Sequence, residues 1–294
     1  MSDETTVTHK EYKDRLFHFL FGQEEHKDWT LSLYNAMNDS NYTDPDEIEF
    51  NTIKDALYLG MRNDVSFLIS DEVNLYEHQS SYNPNMPLRQ MQYISNIYEA
   101  YLTKHKLNKY GHTLIPLPIP RLVVFYNGLK EMPDEVILPL SDSFPEDGRE
   151  RADIEVRVHM VNINYGQNQA LLEKCKPLLE YSWLVNTTRM FKEQKVEDPF
   201  DAAIQQLPKD FVTREHILIH REEVKKMLLT EYNEEEVHEL FRIEGERIGE
   251  ARGKEQNTLA MIRNIMDSMQ LSVEDAMNAL KIPTEEQEKF KNML

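Results

Sequence analysis

Residues 63–89 read NDVSFLISDEVNLYEHQSSYNPNMPLR, and this stretch decides the fold. Its segments VSFLI and VNLYEHQ are rich in β-branched and aromatic residues, and the polar turn Ser70–Asp71–Glu72 between them predicts a β-hairpin. NPNMP should end the second strand, and the apolar spacing beyond it predicts a helix over 88–104. The stretch therefore predicts an α/β protein in which a helix follows a hairpin.

The flanking segments extend this order. Before the hairpin, apolar spacing predicts a helix over 9–21 and β-rich composition predicts a strand near 49–54. After it, the apolar run LVVFYNG predicts a strand at 122–126 that is covered on both faces, and residues 154–164 alternate as a further strand. The predicted order is helix, β-meander, helix, strand.

Beyond residue 165 the apolar spacing becomes helical, and Pro177 should kink or split the helix that it indicates between 168 and 191. We therefore expect three regions. They are a core over 1–165, a helical extension packed on that core over 166–232, and a charged helix with a two-helix tail over 233–294.

The last region has no recognisable chemistry, so we expect it to regulate access or to mediate self-association. Gly245, Gly249 and Gly253 recur at four-residue spacing, which would let two helices approach closely in a homodimer. The alternative is a solvated helix that the glycines destabilise slightly. The turn Lys281–Ile282–Pro283 should separate the two helices of the tail, whose acidic charge argues against docking on DNA.

Composition excludes several protein classes. The chain has 294 residues, of which 40% are apolar and 29% charged, as in an ordinary soluble globular protein. Its single cysteine, Cys175, excludes an internal disulfide framework and a cysteine-rich zinc site. The polar start MSDETTVTHKEYKDR does not resemble a signal peptide, and no long apolar run exists. We expect a cytoplasmic protein with no membrane partner.

The formal net charge of −19 argues against bulk attraction to nucleic acid, because phosphate neutralisation requires lysine and arginine. Residues 87–130 depart from this average, with a local net charge of +5. Any polyanion would have to be met there or through metal ions. The candidate nucleic-acid contacts are Arg89, Lys104, Lys106 and Lys109.

Acidic side chains stand at one end of the predicted hairpin. Asp64 opens the first strand, while Glu77 and Gln79 lie near the end of the second. Because side chains alternate along a strand, Glu77 and Gln79 share a face and His78 points away. The hairpin can bring Asp64 beside Glu77, and two carboxylates so placed suit Mg²⁺ or Mn²⁺. The backbone carbonyl of His78 could add a third ligand.

Several strings of the chain, taken in order, resemble the bacterial Rpn family of recombination-promoting nucleases, which also carries the label transposase. These strings are EHQS, PNMPLR, FYNG and VNINYGQNQALLEKCKPLLEYS, and the resemblance runs from about Tyr12 to about Glu250. The family belongs to the PD-(D/E)xK nuclease superfamily. The resemblance thus implies a restriction-endonuclease-like core of helix, β-meander, helix and strand, followed by a mostly helical half.

The resemblance also implies roles for individual residues. The metal-binding acids of the family fall on Asp64 and Glu77, and the superfamily lysine falls on Gln79. A glutamine can position water, but it cannot neutralise charge as lysine does. The stabilisation of the transition state must then come from the metal or from a basic residue such as Arg89, at the start of the next helix. Arg89 could equally be a surface charge.

These inferences predict a DNA endonuclease that depends on Mg²⁺ or Mn²⁺, with Asp64, Glu77 and Gln79 as catalytic residues. Its setting would be recombination, mobile elements or phage defence. Two alternatives stay open. The missing lysine and the net charge of −19 favour a non-catalytic interaction protein that keeps the nuclease fold. The basic segment would also serve RNA as a substrate.

Two weaker metal candidates remain. Glu11 or Asp14 could add a carboxylate to the metal, although Glu11 is better explained as the capping partner of Thr8. His216 and His220 have a helical spacing that can hold zinc, but no glutamate follows the first histidine and no third ligand is evident.

Overall fold

The computed structural model describes residues 16–50, 64–229, 253, 256–291 and 293. The chain forms two compact units, which comprise residues 1–235 and 236–294. The first unit contains the sheet and the candidate site.

The first unit is built on a mixed sheet in which six described strands lie in the order β1-β2-β3-β4-β6-β5. Strands β1 to β3 form an antiparallel meander, β3, β4 and β6 run parallel, and β5 pairs antiparallel with β6. The strands are β1 Glu49–Phe50, β2 Val65–Ile69, β3 Glu72–Gln79, β4 Ile119–Tyr126, β5 Glu135–Pro139 and β6 Arg157–Asn162. The predicted mixed α/β class is confirmed.

Seven helices of this unit have bounds that the structure gives. They are α1 Leu16–Phe21, α2 Lys27–Asn38, α3 Met86–Lys104, α4 Gln169–Lys174, α5 Lys176–Glu193, α6 Pro199–Gln205 and α7 Arg214–Ile219, and residues 221–229 are also helical. Helix α3 is the crossover that parallel strands β3 and β4 need. The C-terminal half of the first unit is helical, as predicted.

Each face of the sheet has its own hydrophobic core. Tyr76 and Phe125 point to the face covered by α1 and α5, where they join Phe17 and Tyr181. The alternate residues of β3 and β4, such as Leu75, point to the face covered by α3. Neighbouring residues of β3 therefore serve different layers, which matters for the site.

Two local features test the predictions for this unit. The predicted helix between 168 and 191 breaks at Cys175, and Pro177 lies in the first turn of α5, where its missing N–H costs nothing. Strand β5 was not predicted. It is five residues long, lies at the edge of the sheet and ends in Pro139, so its sequence carries a weak strand pattern.

The second unit contains a helical segment at 256–269, α8 Val273–Ala279 and α9 Thr284–Lys291. Ser272 caps α8 by accepting a hydrogen bond from the Asp275 N–H, and Lys281 adopts a positive φ of 56° at the predicted turn. Gly253 is helical, whereas Gly245 and Gly249 lie outside the described residues. Within the described parts of both units, no helix has the length and apolar character needed to cross a membrane.

Candidate active site

The hairpin register places Asp64 beside Glu77. Val65 pairs with Tyr76 in the antiparallel ladder, so the next residues outward on the two strands are Asp64 and Glu77. Residues opposite each other on antiparallel strands share a face. Both side chains are buried, with exposed fractions of 8% for Asp64 and 2% for Glu77.

Asp64 is held in place from two directions. Its carboxylate Oδ2 accepts the backbone N–H of His78 at 2.6 Å, which ties the start of β2 to the end of β3. Its backbone carbonyl is hydrogen-bonded to Nδ1 of His18 on α1. The main chain around this carboxylate is therefore fixed by both a strand and a helix.

Arg89 brings α3 to the same place. Its Nη2 donates to Oε1 of Glu77 at 2.6 Å and contacts the Tyr93 hydroxyl at 3.2 Å. The Arg89 side chain is 34% exposed, so the ion pair joins a solvent-accessible guanidinium to a buried carboxylate. The Tyr93 hydroxyl lies one helical turn further along α3. Burial raises the pKa of Tyr93, and the negative charge of Glu77 adds to this effect.

The same guanidinium contacts Gln79. With the amide oriented so that both of its ends are satisfied, the Gln79 oxygen accepts from Arg89 Nη1 at 3.1 Å and the nitrogen donates to the Ser81 carbonyl at 3.3 Å. Arg89 thus bridges Glu77 and Gln79, two residues of β3 that share a face. Positive charge therefore lies beside Gln79.

His78 points to the opposite layer, as predicted. Its Nε2 lies 2.8 Å from the hydroxyl of Tyr181 on α5, and its ring stacks on Phe17 at 5.6 Å. Asn127 donates its side-chain N–H to the same hydroxyl at 3.0 Å, while its backbone N–H donates to the Gln79 carbonyl at 3.1 Å. The side chain of His78 is a packed core residue. The proposed ligand role of its backbone carbonyl stays a prediction.

Asn127 and Tyr181 were not selected from the sequence as site residues, although both lie in quoted strings. The FYNG string supplies a close backbone approach as well. A Cβ atom on Gly128 would lie 2.2 Å from the Ser80 carbonyl oxygen. FYNG therefore fastens the end of β4 to the end of β3, one residue from Gln79.

The donor set fits a hard divalent cation. Mg²⁺ keeps several waters and is commonly held by one or two carboxylates, which Asp64 and Glu77 could provide. In the part of the chain that the structure describes, no group of three or more His, Cys, Asp or Glu side chains could hold a metal ion. Glu11 and Asp14, the candidates for a third carboxylate, lie outside the described residues.

The predicted lysine contacts lie at the other end of α3. Lys104 is fifteen residues beyond Arg89, which places the two about 22 Å apart along the helix. Lys104 pairs with Glu49, and Lys109 pairs with Glu99 at 2.6 Å. Lys106 is exposed in the turn that follows α3. The structure thus brings Arg89 to the carboxylates and leaves the three lysines away from them.

A third histidine joins His216 and His220. Nε2 of His26 lies 3.1 Å from Nδ1 of His216, and the His216 and His220 rings are 4.7 Å apart. Burial, together with the smaller effects of charge on His26 and His220, lowers the pKa of His216 to about 4. Sequence spacing gave no signal for His26, which lies 190 residues from His216.

Comparison with known proteins adds one match. Residues 70–215 match a family model described as "Putative transposase, YhgA-like". The matched segment includes Glu77, Gln79 and Arg89 and begins after Asp64. No curated protein and no solved structure matches the chain.

Proposed function

We propose that this chain is a YhgA-like putative transposase, the family whose model matches residues 70–215, and that it acts as a DNA endonuclease that requires Mg²⁺ or Mn²⁺. The family suggests a role in DNA processing. One observation carries the finer proposal. Two buried carboxylates, Asp64 and Glu77, stand side by side at a strand end, with the Arg89 guanidinium bonded to one of them.

The order of elements supports a restriction-endonuclease-like core. Helix α1 precedes the antiparallel β1-β2-β3 meander, α3 follows it, and β4 then pairs parallel to β3. This is the order that the resemblance to the Rpn nucleases implies. We include the superfamily assignment in the proposal for that reason.

In the proposed reaction, water attacks a phosphodiester phosphorus, a P–O bond breaks, and the leaving oxygen takes up a proton. Asp64 and Glu77 would hold the cation, which supplies charge neutralisation and a more acidic water when it is bound. Gln79 would orient the attacking water through its amide. Arg89 would place positive charge beside the phosphate, which is the contribution that a glutamine lacks.

The surroundings of Asp64 fix the position of its carboxylate. The backbone N–H of His78 donates to Oδ2 of Asp64. The orientation of the carboxylate is therefore set by a backbone group rather than by a flexible side chain. Since β2 and β3 are paired along five positions, the two acids are held by a rigid element. Such pre-organisation is typical of sites that bind or transform a charged group.

The Arg89–Glu77 pair also favours a second candidate. An ion pair that satisfies a buried carboxylate can serve packing alone, so a non-catalytic interaction protein would carry the same contact. This candidate predicts that divalent metal neither binds at Asp64 and Glu77 nor affects the integrity of DNA.

Plasmid nicking in Mg²⁺ or Mn²⁺ distinguishes the two. We expect nicking by the native chain, its loss in EDTA, and a loss of at least about 100-fold in Glu77→Gln and in Asp64→Asn. Glu72→Gln changes an acid at the other end of β3 and should leave the rate within about twofold. A folded protein that neither binds divalent metal nor nicks the plasmid would support the interaction protein. An RNA of the same sequence, assayed in parallel, identifies the preferred substrate.

A further inference from the structure

A cavity of about 530 Å³ lies at the carboxyl ends of the parallel strands β4 and β6. The loop that follows β4, the loop that follows β6 and the last turns of α5 form its walls. Its volume lies within the range of small-ligand sites. Residues 164–167, which follow β6 in the VNINYGQNQ string, contribute Asn164, Tyr165 and Gln167 to one wall, and the proposed catalytic site does not use them.

The cavity lies at the same sheet end as the carboxylates, and its α5 wall belongs to the helix layer on the other face. Gln79 pairs with Tyr126 on β4, and Tyr126 pairs with Asn162 on β6. Since paired residues share a face, Gln79 and Asn162 stand in one row across three strands, about 10 Å apart. Gly128 in the cavity wall packs against Ser80, the residue that follows Gln79.

Amide side chains dominate the polar lining. Asn164 donates to the Gly128 carbonyl at 3.1 Å and to Asn162 Oδ1 at 3.0 Å, and its own Oδ1 accepts from Arg189 at 3.3 Å. These bonds fix the loops that surround the cavity. Gln167 and the exposed Asn186 add two further amides. Amides present both donors and acceptors, which suits the edge of a nucleobase.

The rest of the lining favours a neutral planar ligand. Tyr165 is 45% exposed at the cavity and offers an aromatic face for stacking. Lys130 and Arg189 are balanced by Glu131 and Glu193, so the lining has no excess positive charge to attract a phosphate. A base has a neutral ring and a hydrogen-bonding edge, and it matches this combination.

We propose that this cavity binds an unpaired base of the DNA strand whose backbone lies at Asp64 and Glu77. The inference rests on the proposed function and specifies its substrate. The spacing of about 10 Å between Gln79 and Asn162 corresponds to about three stacked nucleotide steps of 3.4 Å. A base inside a duplex cannot enter a cavity without leaving its stack, so the protein should favour DNA that already holds an unpaired base.

Binding measured in EDTA tests this apart from cleavage. Fluorescence anisotropy would compare a duplex with a one-nucleotide bulge to the same duplex with an abasic bulge, using the full chain. We expect the bulged base to strengthen binding at least about fivefold, because stacking on an aromatic side chain contributes to affinity. Tyr165→Ala and Asn186→Ala should each reduce that preference. Ile219→Ala, which changes a 70% exposed side chain at the end of α7, should keep it.

The outcomes separate the two proposals. Equal binding of both duplexes by the native chain would overturn the base site, as would a preference that survives in both cavity variants. Binding of free deoxynucleosides without a preference for bulged DNA would also overturn it. A base preference that Tyr165→Ala removes supports the site whether or not plasmid is nicked. Absence of nicking would then count against the endonuclease only.

Discussion

Arg89 on α3 donates to Oε1 of Glu77 on β3 at 2.6 Å, and its other terminal nitrogen lies 3.1 Å from the oxygen of Gln79. One planar group therefore contacts Glu77 and Gln79, which lie two positions apart on the same face of β3. The forked guanidinium makes the two contacts from two different nitrogens. Under the proposed function, this geometry moves the positive charge of the superfamily lysine from the strand to the helix.

Two replacements of Arg89 should distinguish the effect of its positive charge from the effect of its two-nitrogen geometry. Arg89→Ala removes both contacts and should lower nicking about 100-fold, whereas Arg89→Lys restores charge without the fork and should recover only part of it. Urea denaturation should show a loss of about 1–3 kcal/mol for the alanine variant, because Glu77 is buried and loses a charged partner. Full nicking by Arg89→Ala would contradict the role in catalysis.

Under the proposed function, a lysine at position 79 should not speed nicking. Gln79→Lys would place an ammonium beside Arg89, where like charges a few ångströms apart repel by about 1–4 kcal/mol. We expect lower stability in urea and nicking no faster than that of the native chain. The double variant Arg89→Gln, Gln79→Lys moves the positive charge from position 89 to position 79. It should recover part of the stability and part of the nicking rate. Faster nicking by the single variant would show that Arg89 does not supply the charge.

Gly128→Ala should disturb the contact between β3 and β4. Its Cβ would lie 2.2 Å from the Ser80 carbonyl oxygen, so one of the two backbones must shift, at a cost of about 1–3 kcal/mol. Gly148→Ala is the matched control, because the nearest atom to its Cβ is 3.6 Å away on a side chain. Thermal melts of both variants measure the difference. Equal melting temperatures would mean that the strand ends adapt.

The histidine cluster should make stability depend on pH. The pKa of His216 is lowered from its ordinary value to about 4, chiefly by burial, and the pKa of His26 is lowered as well, although Asp28 and Glu25 oppose the shift. Between pH 6.5 and 4 the unfolded chain therefore binds protons that the folded chain does not. Stability should be complete above pH 6.5 and should fall as the pH is lowered.

His216→Phe keeps a ring against Phe19, which stacks on His216 at 4.6 Å, and removes the titrating group. Melting temperatures recorded from pH 7.5 to 4.5 should decline less steeply in this variant than in the native chain. His159→Phe alters a histidine on β6 outside the cluster and serves as the control. Parallel curves for all three proteins would contradict the prediction.

Lys106 tests whether the lysine end of α3 meets DNA. Lys106→Ala should weaken binding of duplexes of every sequence to a similar extent and should reduce the salt dependence of binding by about one ion. Anisotropy titrations at several salt concentrations give that slope. Lys209→Ala, in a loop of the helical half, is the control. An unchanged slope would remove Lys106 from the candidate contacts.

Local sequence patterns are sufficient to predict the secondary-structure elements around the site. The hairpin turn at Ser70–Asp71–Glu72 fixes the register, and strand alternation then places Asp64, Glu77 and Gln79 together while His78 points away. The contacts to Arg89 follow from how α3 packs on the sheet. Its position at the start of the helix indicated a candidate, but no sequence rule gives the direction of its side chain.

Other features depended on contacts between distant residues. The Tyr181 hydroxyl contacts both Asn127 and His78 only because α5 covers that face of the sheet. His26 approaches His216 only after the helical half has folded onto the first helices. The cavity formed by the loops after β4 and β6 has no signal in either loop alone. Long-range packing determined these features, and a single sequence does not reveal it.

The length of α3 sets a dimension for any bound duplex. Arg89 stands near one end and Lys104 at the other, about 22 Å away along the helix axis. At 3.4 Å for each base-pair step, this separation matches six to seven base pairs, roughly. A duplex shorter than that could reach only one end of the helix. If both ends of α3 bind the same duplex, the length of this helix sets the smallest footprint that the protein can have on DNA.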